Sequence, residues 1–354
     1  MATAPTHLME LPRKILIGDG VISSLGAFIR DIGYSASKVA IVTGNTVKSR
    51  ASADCKSSFQ SMSIDDTWYV VIDSSIASVD RLKRSLAKDL PDIIIGFGGG
   101  RAVDVAKMTA FQLNKPFVSV PTSASHDGIS SPFASIRGSK KPYSIKTNTP
   151  LGVLADTTLL AEAPTRLMAS GCGDLVAKIT AIKDWELARD ENNEYFGTYA
   201  ANLAYMSAKI ILDESKKLGA RSRSGIRIVV EALISAGVAA CIAGSSRPCS
   251  GAEHLFSHAV DYIVGQNYGL HGERVGIGTI MMAKLHNVDW EIIVQTLERV
   301  GAPTKAKQIR LSEEQIVLSL LAAPSLRPDR YTILSKANLN KSSASELARS
   351  VKVI

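Results

Sequence analysis

The 354-residue sequence contains no unbroken run of the roughly 20 apolar residues that a membrane-spanning helix needs. Its first residues, MATAPTHLMELPRK, lack the charged and then apolar layout of a secretory signal. Its four cysteines form no CxxC pair, which excludes a disulfide framework and a zinc knuckle. These absences predict a cytoplasmic protein without membrane insertion, in which the following thiols are reduced and mostly packed in the core: Cys55, Cys172, Cys241 and Cys249.

Aromatic residues interleaved with basic ones, a pattern typical of nucleic-acid binding, are also missing. The net charge is +8, but the basic residues are scattered, with small groups at 48–50, 137–141 and 221–227. Nucleic acid is therefore not an expected partner. Attraction to small anionic substrates or to phosphate-bearing cofactors explains the positive charge equally well.

The first half of the chain has the pattern of an α/β domain. The chain is longer than one hydrophobic core usually supports, and its 45% hydrophobic content is ordinary for a globular enzyme. Apolar β-branched runs alternate with helical stretches, which predicts a parallel, Rossmann-like sheet with helices on both faces. The predicted strands lie at 12–18, 38–44, 67–73, 92–100, 116–122 and around 143–156.

The second half has a different character, because strand patterns cease near Thr165 and apolar-periodic helices follow. Pro164 marks a plausible linker between the two halves. We therefore predict a dinucleotide-binding α/β domain over residues 1–162 and a helical metal- and substrate-binding domain over 163–354. The predicted helices lie at 174–190, 198–218, 226–243, 253–264, 275–285 and 290–300.

A glycine-rich segment, GFGGGRAVDVAK at 96–107, follows a buried-strand pattern and opens a helix. Backbone N–H groups at such a helix start bind phosphate, and glycines allow a pyrophosphate to approach closely. The spacing is neither GxGxxG nor a Walker A loop, so a purely structural tight turn remains an alternative.

The next strand ends in PTSASHDGISSP at 121–132, at the carboxyl edge of the sheet where ligands of open α/β folds bind. The hydroxyls of Thr122, Ser123 and Ser125 can contact phosphate or ribose, and Asp127 offers a carboxylate. A solvated serine-rich loop is the alternative. After the strand at 38–44 the chain has basic residues at 48 and 50 and no acid, which favours tolerance of NADP.

Three of the six histidines lie within GAEHLFSHAVDYIVGQNYGLHGER, at 251–274. His254 and His258 are four residues apart and share a helix face, and His271 stands at a predicted helix start. An i, i+4 histidine pair is common by chance. Catalytic zinc sites use three nitrogen or oxygen ligands and keep one position open, so a carboxylate is needed, and Asp174 is the best candidate.

Five segments, GGGRAVDVAK, PTSASHDGISSP, GCGDLVAK, GAEHLFSHAVD and LHGERVGIGT, resemble the sn-glycerol-1-phosphate dehydrogenase family in their order and separations. That family is grouped with glycerol dehydrogenase, iron-dependent alcohol dehydrogenases and dehydroquinate synthase. The resemblance runs from about Leu11 to Val300. It implies a dehydroquinate synthase-like fold, with an α/β N-terminal domain and an all-α C-terminal domain.

The resemblance also implies a set of site residues. Zinc (Zn2+) would be held by Asp174, His254 and His271, and the substrate would contact Asp127, Asp174 and His258. The dinucleotide, NAD(P)H, would lie on Gly99, Gly100, Arg101, Ala102, Val103, Asp104, Thr122, Ser123, Ala124, Ser125 and Ser131.

One position departs from the iron-dependent relatives, which place a histidine four residues after the ligand aspartate. This chain has Lys178 there, which favours a three-residue zinc site over iron. For Lys178 we expect an i, i+4 salt bridge with Asp174, with contact to a substrate phosphate as the alternative.

The implied reaction is the reversible NAD(P)H-dependent reduction of dihydroxyacetone phosphate to sn-glycerol 1-phosphate, with zinc as a Lewis acid, for archaeal-type membrane phospholipid synthesis. The proton would pass through His258, Asp127 or water, because a histidine that titrates near neutral pH suits that role. Lys146, Lys209 and Arg274 are candidates for the substrate phosphate, with a solvated surface charge as the alternative for each. The family implies a homo-oligomer.

Two other functions remain open at this point. A zinc-dependent glycerol or polyol dehydrogenase would use the same metal and cofactor on an unphosphorylated substrate. A non-catalytic dinucleotide- or metal-binding protein could keep the same fold.

Overall fold

The computed structural model describes residues 7–138, 144–218, 222–265 and 268–354. Within these ranges every strand precedes residue 157, and the rest of the chain is helical. The predicted combination of a parallel sheet and an all-α second half is therefore confirmed. Some residues named in the sequence analysis lie outside the described residues. They belong to the basic groups at 137–141 and 221–227 and to the middle of the GQNYG segment at 265–269.

The main sheet has six parallel strands in the order β1-β8-β5-β4-β2-β3. The central strands are apolar and buried, as expected for a parallel sheet covered by helices on both faces. A short antiparallel pair, β6 and β7, stands apart from it. The strands are β1 (Lys14–Gly18), β2 (Lys38–Thr43), β3 (Asp65–Val70), β4 (Ile93–Gly98), β5 (Phe117–Pro121), β6 (Phe133–Ser135), β7 (Ser144–Lys146) and β8 (Gly152–Asp156).

The order of the strands places two predicted cofactor loops side by side. Strands β4 and β5 are neighbours, with Gly98 paired to Pro121 in the register. The glycine-rich segment and the segment from Thr122 onward therefore leave the same carboxyl edge of the sheet. That edge is where open α/β sheets bind ligands.

Four helices accompany the sheet: α1 (Leu25–Asp31), α2 (Asn45–Gln60), α3 (Ile76–Leu86) and α4 (Gly100–Gln112). The helices of the second half are α5 (Thr157–Ala161), α6 (Thr165–Val176), α7 (Lys178–Asn192), α8 (Thr198–Leu218), α9 (Arg223–Ala243), α10 (Ala252–Ile263), α11 (His271–Leu285), α12 (Trp290–Arg299), α13 (Glu313–Leu326), α14 (Ile333–Ala337) and α15 (Lys341–Ser350). Short 3₁₀ turns lie at Val21–Ser24, Asp127–Ile129 and Ala306–Ile309.

One predicted helix has the wrong boundaries. The stretch 174–190 belongs to two helices, α6 and α7, which meet at Ala177. Gly171 and Gly173, which precede the predicted start, lie inside α6 at points of backbone contact. A Cβ at Gly173 would collide with the carbonyl of Gly272 in α11, so the missing side chains let α6 and α11 pack closely.

Helix α9 is long and apolar enough to cross a bilayer by length and composition, with a mean hydropathy of 2.0 in its most apolar window. It contains Arg227 and Glu231, and 67% of that window is buried inside the protein. Its apolar residues, including Val229, Leu233 and Ala240, belong to the largest hydrophobic core. Among the described residues no other helix passes that test.

The two halves share hydrophobic packing. The largest core joins the helical half to Val153 and Ala155 of β8, while two smaller cores cover the two faces of the sheet. The proposed domain boundary at 162/163 stays a prediction.

All four cysteines are free and buried. Burial raises the pKa of the Cys55 and Cys172 thiols to about 12, and it also raises the pKa values of Cys241 and Cys249. Because the thiolate is the reactive form, we expect no thiol of the native protein to react with Ellman's reagent within minutes at pH 8. The four thiols should all react after denaturation in guanidinium chloride. Rapid reaction of even one native thiol would contradict the packed positions.

Candidate active site and metal centre

A cavity of about 1040 Å³ opens between the carboxyl edge of the sheet and the helical half. Its walls include the start of α4, the segment after β5, the segment between α9 and α10, and the facing sides of α10 and α11. Asp127, Asp174, His254, His258 and His271 all line it. Residues implied for the substrate, the metal and the cofactor therefore share one space.

Asp174, His254 and His271 bring one ligand atom each to within 4.8 Å of one another. Asp174 Oδ1 lies 3.3 Å from His254 Nε2 and 3.8 Å from His271 Nε2. The three side chains come from α6, α10 and α11. Two imidazole nitrogens and one carboxylate oxygen fit a catalytic zinc site, because such sites use three protein ligands of these kinds and leave a fourth position open.

Glu253 is a further residue of this site that the sequence analysis did not identify. Its buried carboxylate lies 2.8 Å from His254 Nδ1 and also accepts hydrogen bonds from the Gly251 N–H (2.6 Å) and the Thr180 hydroxyl (2.8 Å). A carboxylate at Nδ1 favours a proton on that nitrogen, which would leave Nε2 to bind a metal. Histidines that bind metals usually have a partner of this kind.

Lys178 is fully buried and lies between two carboxylates. Its Nζ is 3.0 Å from Asp174 Oδ2 and 2.7 Å from Asp127 Oδ2. The expected i, i+4 pair is confirmed, although it is neither solvated nor limited to one acid. The Asp127 N–H also donates to Asp174 Oδ2 at 3.1 Å. One carboxylate oxygen of Asp174 is thus held within the protein while the other faces the two imidazoles.

These contacts determine the charges of the pair. Burial alone would raise the pKa of Asp174, but Lys178 and His254 bring it well below its usual range. Burial alone would lower the pKa of Lys178. The charges of Asp127 and Asp174 outweigh burial and raise this pKa above its usual value. The lysine is therefore protonated and the aspartate ionised at neutral pH.

His258 lies one turn beyond His254 on α10, with its ring 6.3 Å from that of His271. Burial, followed by the charges of His254 and Arg274, lowers the pKa of His258 to about 3. The expectation that His258 titrates near neutral pH is therefore wrong. A neutral imidazole can still accept or donate a hydrogen bond to a substrate.

The start of α4 has the form expected of a phosphate-binding loop. Gly99 is the extended residue before the helix, and Gly100 is its first residue. Most of the residues implied for the dinucleotide line the cavity, and Val103 and Ala124 are instead packed in hydrophobic cores. Asp104 lines the cavity with one buried carboxylate oxygen that has no hydrogen-bond partner in the described structure.

Lys107 and His126 hold the segment after β5 and the start of α4 in place, and no pattern in the sequence predicted these roles. The buried ammonium of Lys107 donates to the carbonyls of Gly128 (2.6 Å), Ser131 (2.8 Å) and Phe133 (2.8 Å). It therefore fixes the segment that carries Asp127. His126 accepts from the Gly128 N–H at Nδ1 (3.0 Å), which leaves the proton on Nε2, and its ring packs against Gly100. A helical lysine would ordinarily be assigned to a solvated face.

The candidates for substrate phosphate have different surroundings. Lys146 donates to the Gly244 carbonyl, and Lys209 pairs with Asp213 on the surface of α8. Neither lines the cavity. Arg274 does line it, where it is buried and pairs with Asp261 at 3.0 Å.

Known proteins resemble this chain over nearly its whole length. A glycerol-1-phosphate dehydrogenase [NAD(P)+] of Nitrosopumilus maritimus is 52% identical over 99% of this chain and 98% of its own length. A relative with the same name from Cenarchaeum symbiosum is 51% identical over 98% of this chain and 96% of its own. The chain belongs to the glycerol-1-phosphate dehydrogenase family. It is an oxidoreductase of the NAD(P)-dependent kind.

Wider comparisons agree with this membership. Residues 16–164 match the family model described as iron-containing alcohol dehydrogenase. The crystal structure of a glycerol dehydrogenase from Schizosaccharomyces pombe has a TM-score of 0.82 at 21% identity, over 98% of this chain and 91% of that one. At this identity the likeness shows the fold alone. Membership in the glycerol-1-phosphate dehydrogenase family favours a phosphorylated substrate over the polyol alternative.

We predict that Lys178→Met destabilises the metal-free protein by about 3 kcal/mol, because it leaves two buried carboxylates without their cation. The matched control is Lys183→Met on the same helix, where an exposed pair with Glu186 should contribute less than about 1 kcal/mol. Urea unfolding with a chelator present measures both changes.

The effect should depend on pH in a defined direction. Lys178 helps to hold the pKa of Asp174 below its unfolded value, so this stability is fully present above about pH 4 and is lost as the pH falls further. Equal losses of unfolding free energy in Lys178→Met and Lys183→Met would show that the buried contacts stabilise the protein no more than the exposed pair does.

Proposed function

We propose that this chain catalyses the reversible reduction of dihydroxyacetone phosphate to sn-glycerol 1-phosphate with NADH or NADPH. The observation that carries the proposal is the convergence of Asp174, His254 and His271 in a cavity shared with the glycine-rich start of α4. A metal-ligand set and a dinucleotide loop in one cavity are what a metal-assisted hydride transfer requires. The product would supply archaeal-type membrane phospholipid synthesis in the cytoplasm.

We further propose that the metal is zinc. When bound, zinc supplies a Lewis acid for the substrate carbonyl, and the reduced nicotinamide supplies the hydride. The role of the protein is to hold the ligands in place. Lys178 and Glu253 orient Asp174 and His254 from behind, so that their remaining ligand atoms face the cavity.

The substrate oxygen gains a proton in the direction of reduction and loses it in the reverse direction. Asp127 lines the cavity with a carboxylate held by Lys178, and we propose that it positions the substrate hydroxyl and the water that exchanges this proton. His258 remains neutral, so we assign it a hydrogen bond to the substrate rather than a change of charge. Burial of Lys178 excludes it from direct contact with solvent.

Cofactor choice and assembly are further parts of the proposal. Arg50 lines the cavity from the second turn of α2, and it pairs with Glu162 at 3.6 Å. A basic residue in this place can accept the 2′-phosphate of NADP, so we propose that both dinucleotides are used.

We also propose that the protein forms a homo-oligomer. Exposed Tyr199, Met206 and Ile210 along α8 provide an apolar surface that a second copy would bury.

The reaction is tested by a spectrophotometric assay of ketone reduction with each dinucleotide. We expect kcat/KM for dihydroxyacetone phosphate to exceed that for dihydroxyacetone by about 100-fold, because a site built for a charged group rejects the analogue that lacks it. Prolonged dialysis against a chelator should abolish the activity, and Zn2+ should restore it. Equal use of the two ketones would favour a polyol dehydrogenase, and binding of the dinucleotide without any turnover would favour a non-catalytic protein.

The metal site is tested by three substitutions. Asp174→Ala, His254→Ala and His271→Ala should each abolish activity and reduce bound zinc, measured by elemental analysis of the purified protein, because each removes one of three ligands. His7→Ala is the matched control, since that exposed imidazole contacts the Ile242 carbonyl and does not line the cavity. An active triple variant free of metal would rule out the proposed centre.

A further inference from the structure

The segment 244–251, between α9 and α10, lines the cavity beside the metal-site residues. Ser246, Cys249 and Ser250 all contribute to the lining. The Gly251 N–H, next to Ser250, donates to the Glu253 carboxylate at 2.6 Å, and the same carboxylate lies 2.8 Å from His254 Nδ1. The end of this segment is therefore close to the metal-site residues.

Behind this segment lies Arg330, a guanidinium that is only 6% exposed. It donates to the Ser250 carbonyl at 2.5 Å and to the Ser246 hydroxyl at 2.7 Å. Among the residues that the structure describes, no carboxylate lies within ion-pairing distance of it. The neighbouring Arg247, by contrast, forms an ion pair with Glu194 and donates to the Tyr331 carbonyl.

A buried charge without a partner is costly to keep in a folded protein. Burial and the nearby Arg327 lower the pKa of Arg330 to about 9, which leaves it charged at neutral pH. Glu194 and Glu253 raise the pKa of Arg330, but neither carboxylate lies within ion-pairing distance of its guanidinium. A bound anion would add a favourable interaction with this charge.

Charged groups of both signs surround this region. Arg274 lines the same cavity, and its charge is matched by Asp261. Arg327 contributes a second cation and pairs with the exposed Asp329 at 3.4 Å. The Glu253 carboxylate accepts the Gly251 N–H at the end of the segment, and Glu253 and Glu194 both raise the pKa of Arg330.

The hydrogen bonds also determine where the Ser246 proton points. Its hydroxyl oxygen accepts an N–H from Arg330, so its own O–H is available to donate elsewhere. Since Ser246 lines the cavity, that donor can meet a ligand there. A hydroxyl polarised by a guanidinium is a strong donor to an oxyanion.

We propose that Ser246 and Ser250, supported by the buried Arg330, bind the phosphate group of the substrate. This inference rests on the proposed function, in which the reacting carbonyl is held at Asp174, His254 and His271. One CH2 group and one ester oxygen separate that carbonyl from the phosphorus atom, so the phosphate must lie close beside the metal-site residues. The segment carrying Cys249 is in that position.

The test compares two variants on two substrates. The quantity measured is the ratio of kcat/KM for dihydroxyacetone phosphate to kcat/KM for dihydroxyacetone. We expect this ratio to fall by about tenfold or more in Ser246→Ala and in Arg330→Met. A fall of this size is the usual effect of losing a hydrogen bond to a charged group. Ser245→Ala is the matched control in the same segment, and Lys209→Met removes an exposed positive charge outside the cavity. Both controls should keep the wild-type ratio.

A binding measurement separates the subsite from the reaction. With NAD+ saturating, calorimetric titration with inorganic phosphate should show binding to the wild-type protein and an affinity about tenfold weaker in Ser246→Ala. A wild-type protein that prefers the unphosphorylated ketone would overturn the proposed function, while phosphate binding that depends on Ser246 would still support an anion subsite. A phosphate preference that survives in both variants would overturn the subsite and leave the proposed function intact. If Arg330→Met fails to fold, Ser246→Ala decides the question alone.

Discussion

The contact of one buried ammonium with two carboxylates underlies the geometry of the whole site. Lys178 begins α7, Asp174 lies in the last turn of α6, and Asp127 belongs to the segment that follows β5. The lysine therefore joins the sheet half to the helical half at the place where the reaction is proposed to occur. A buried charge of this kind is retained only when its partners are well placed. The position of Asp127 and the free oxygen of Asp174 follow from that single requirement.

A second group of buried acids holds the imidazole side of the site. Asp184 accepts hydrogen bonds from the backbone of Ala252 (2.6 Å) and Ile333 (2.6 Å) and from His286 (2.9 Å). It thereby fixes the start of α10, two residues before His254. Glu253 then fixes the orientation of the His254 ring. Backbone and side-chain donors satisfy these acids completely, which is the condition under which a buried polar network adds rigidity.

Local patterns in the sequence predicted much of the fold. The helix at 198–218 has the predicted bounds, and the strands at 38–44 and 92–100 differ from the structure by one or two residues. The prediction at 174–190 left Gly171 and Gly173 outside the helix, whereas they lie inside α6 and allow close contact between helices. Such contact depends on residues about a hundred positions away, and no local pattern reports it.

The residues that support the site were harder to predict for the same reason. Glu253 adjoins His254 in the sequence, but adjacent residues on a helix do not ordinarily face each other. Lys107 and Arg330 are basic residues whose partners are backbone and hydroxyl groups, so no complementary charge in the sequence marks them. The ligand set itself depended on resemblance to a family, because the spacing of the three histidines does not show which two of them would bind a metal.

The contact between Gly173 and Gly272 has a consequence for the proposed metal site. Each glycine adjoins a ligand, Asp174 on one helix and His271 on the other. The separation of carboxylate and imidazole is therefore set by two main chains in van der Waals contact, rather than by flexible side chains that adjust to one another. These side chains lose their conformational freedom when the protein folds, and an arriving cation would meet a preorganised centre that it does not have to assemble.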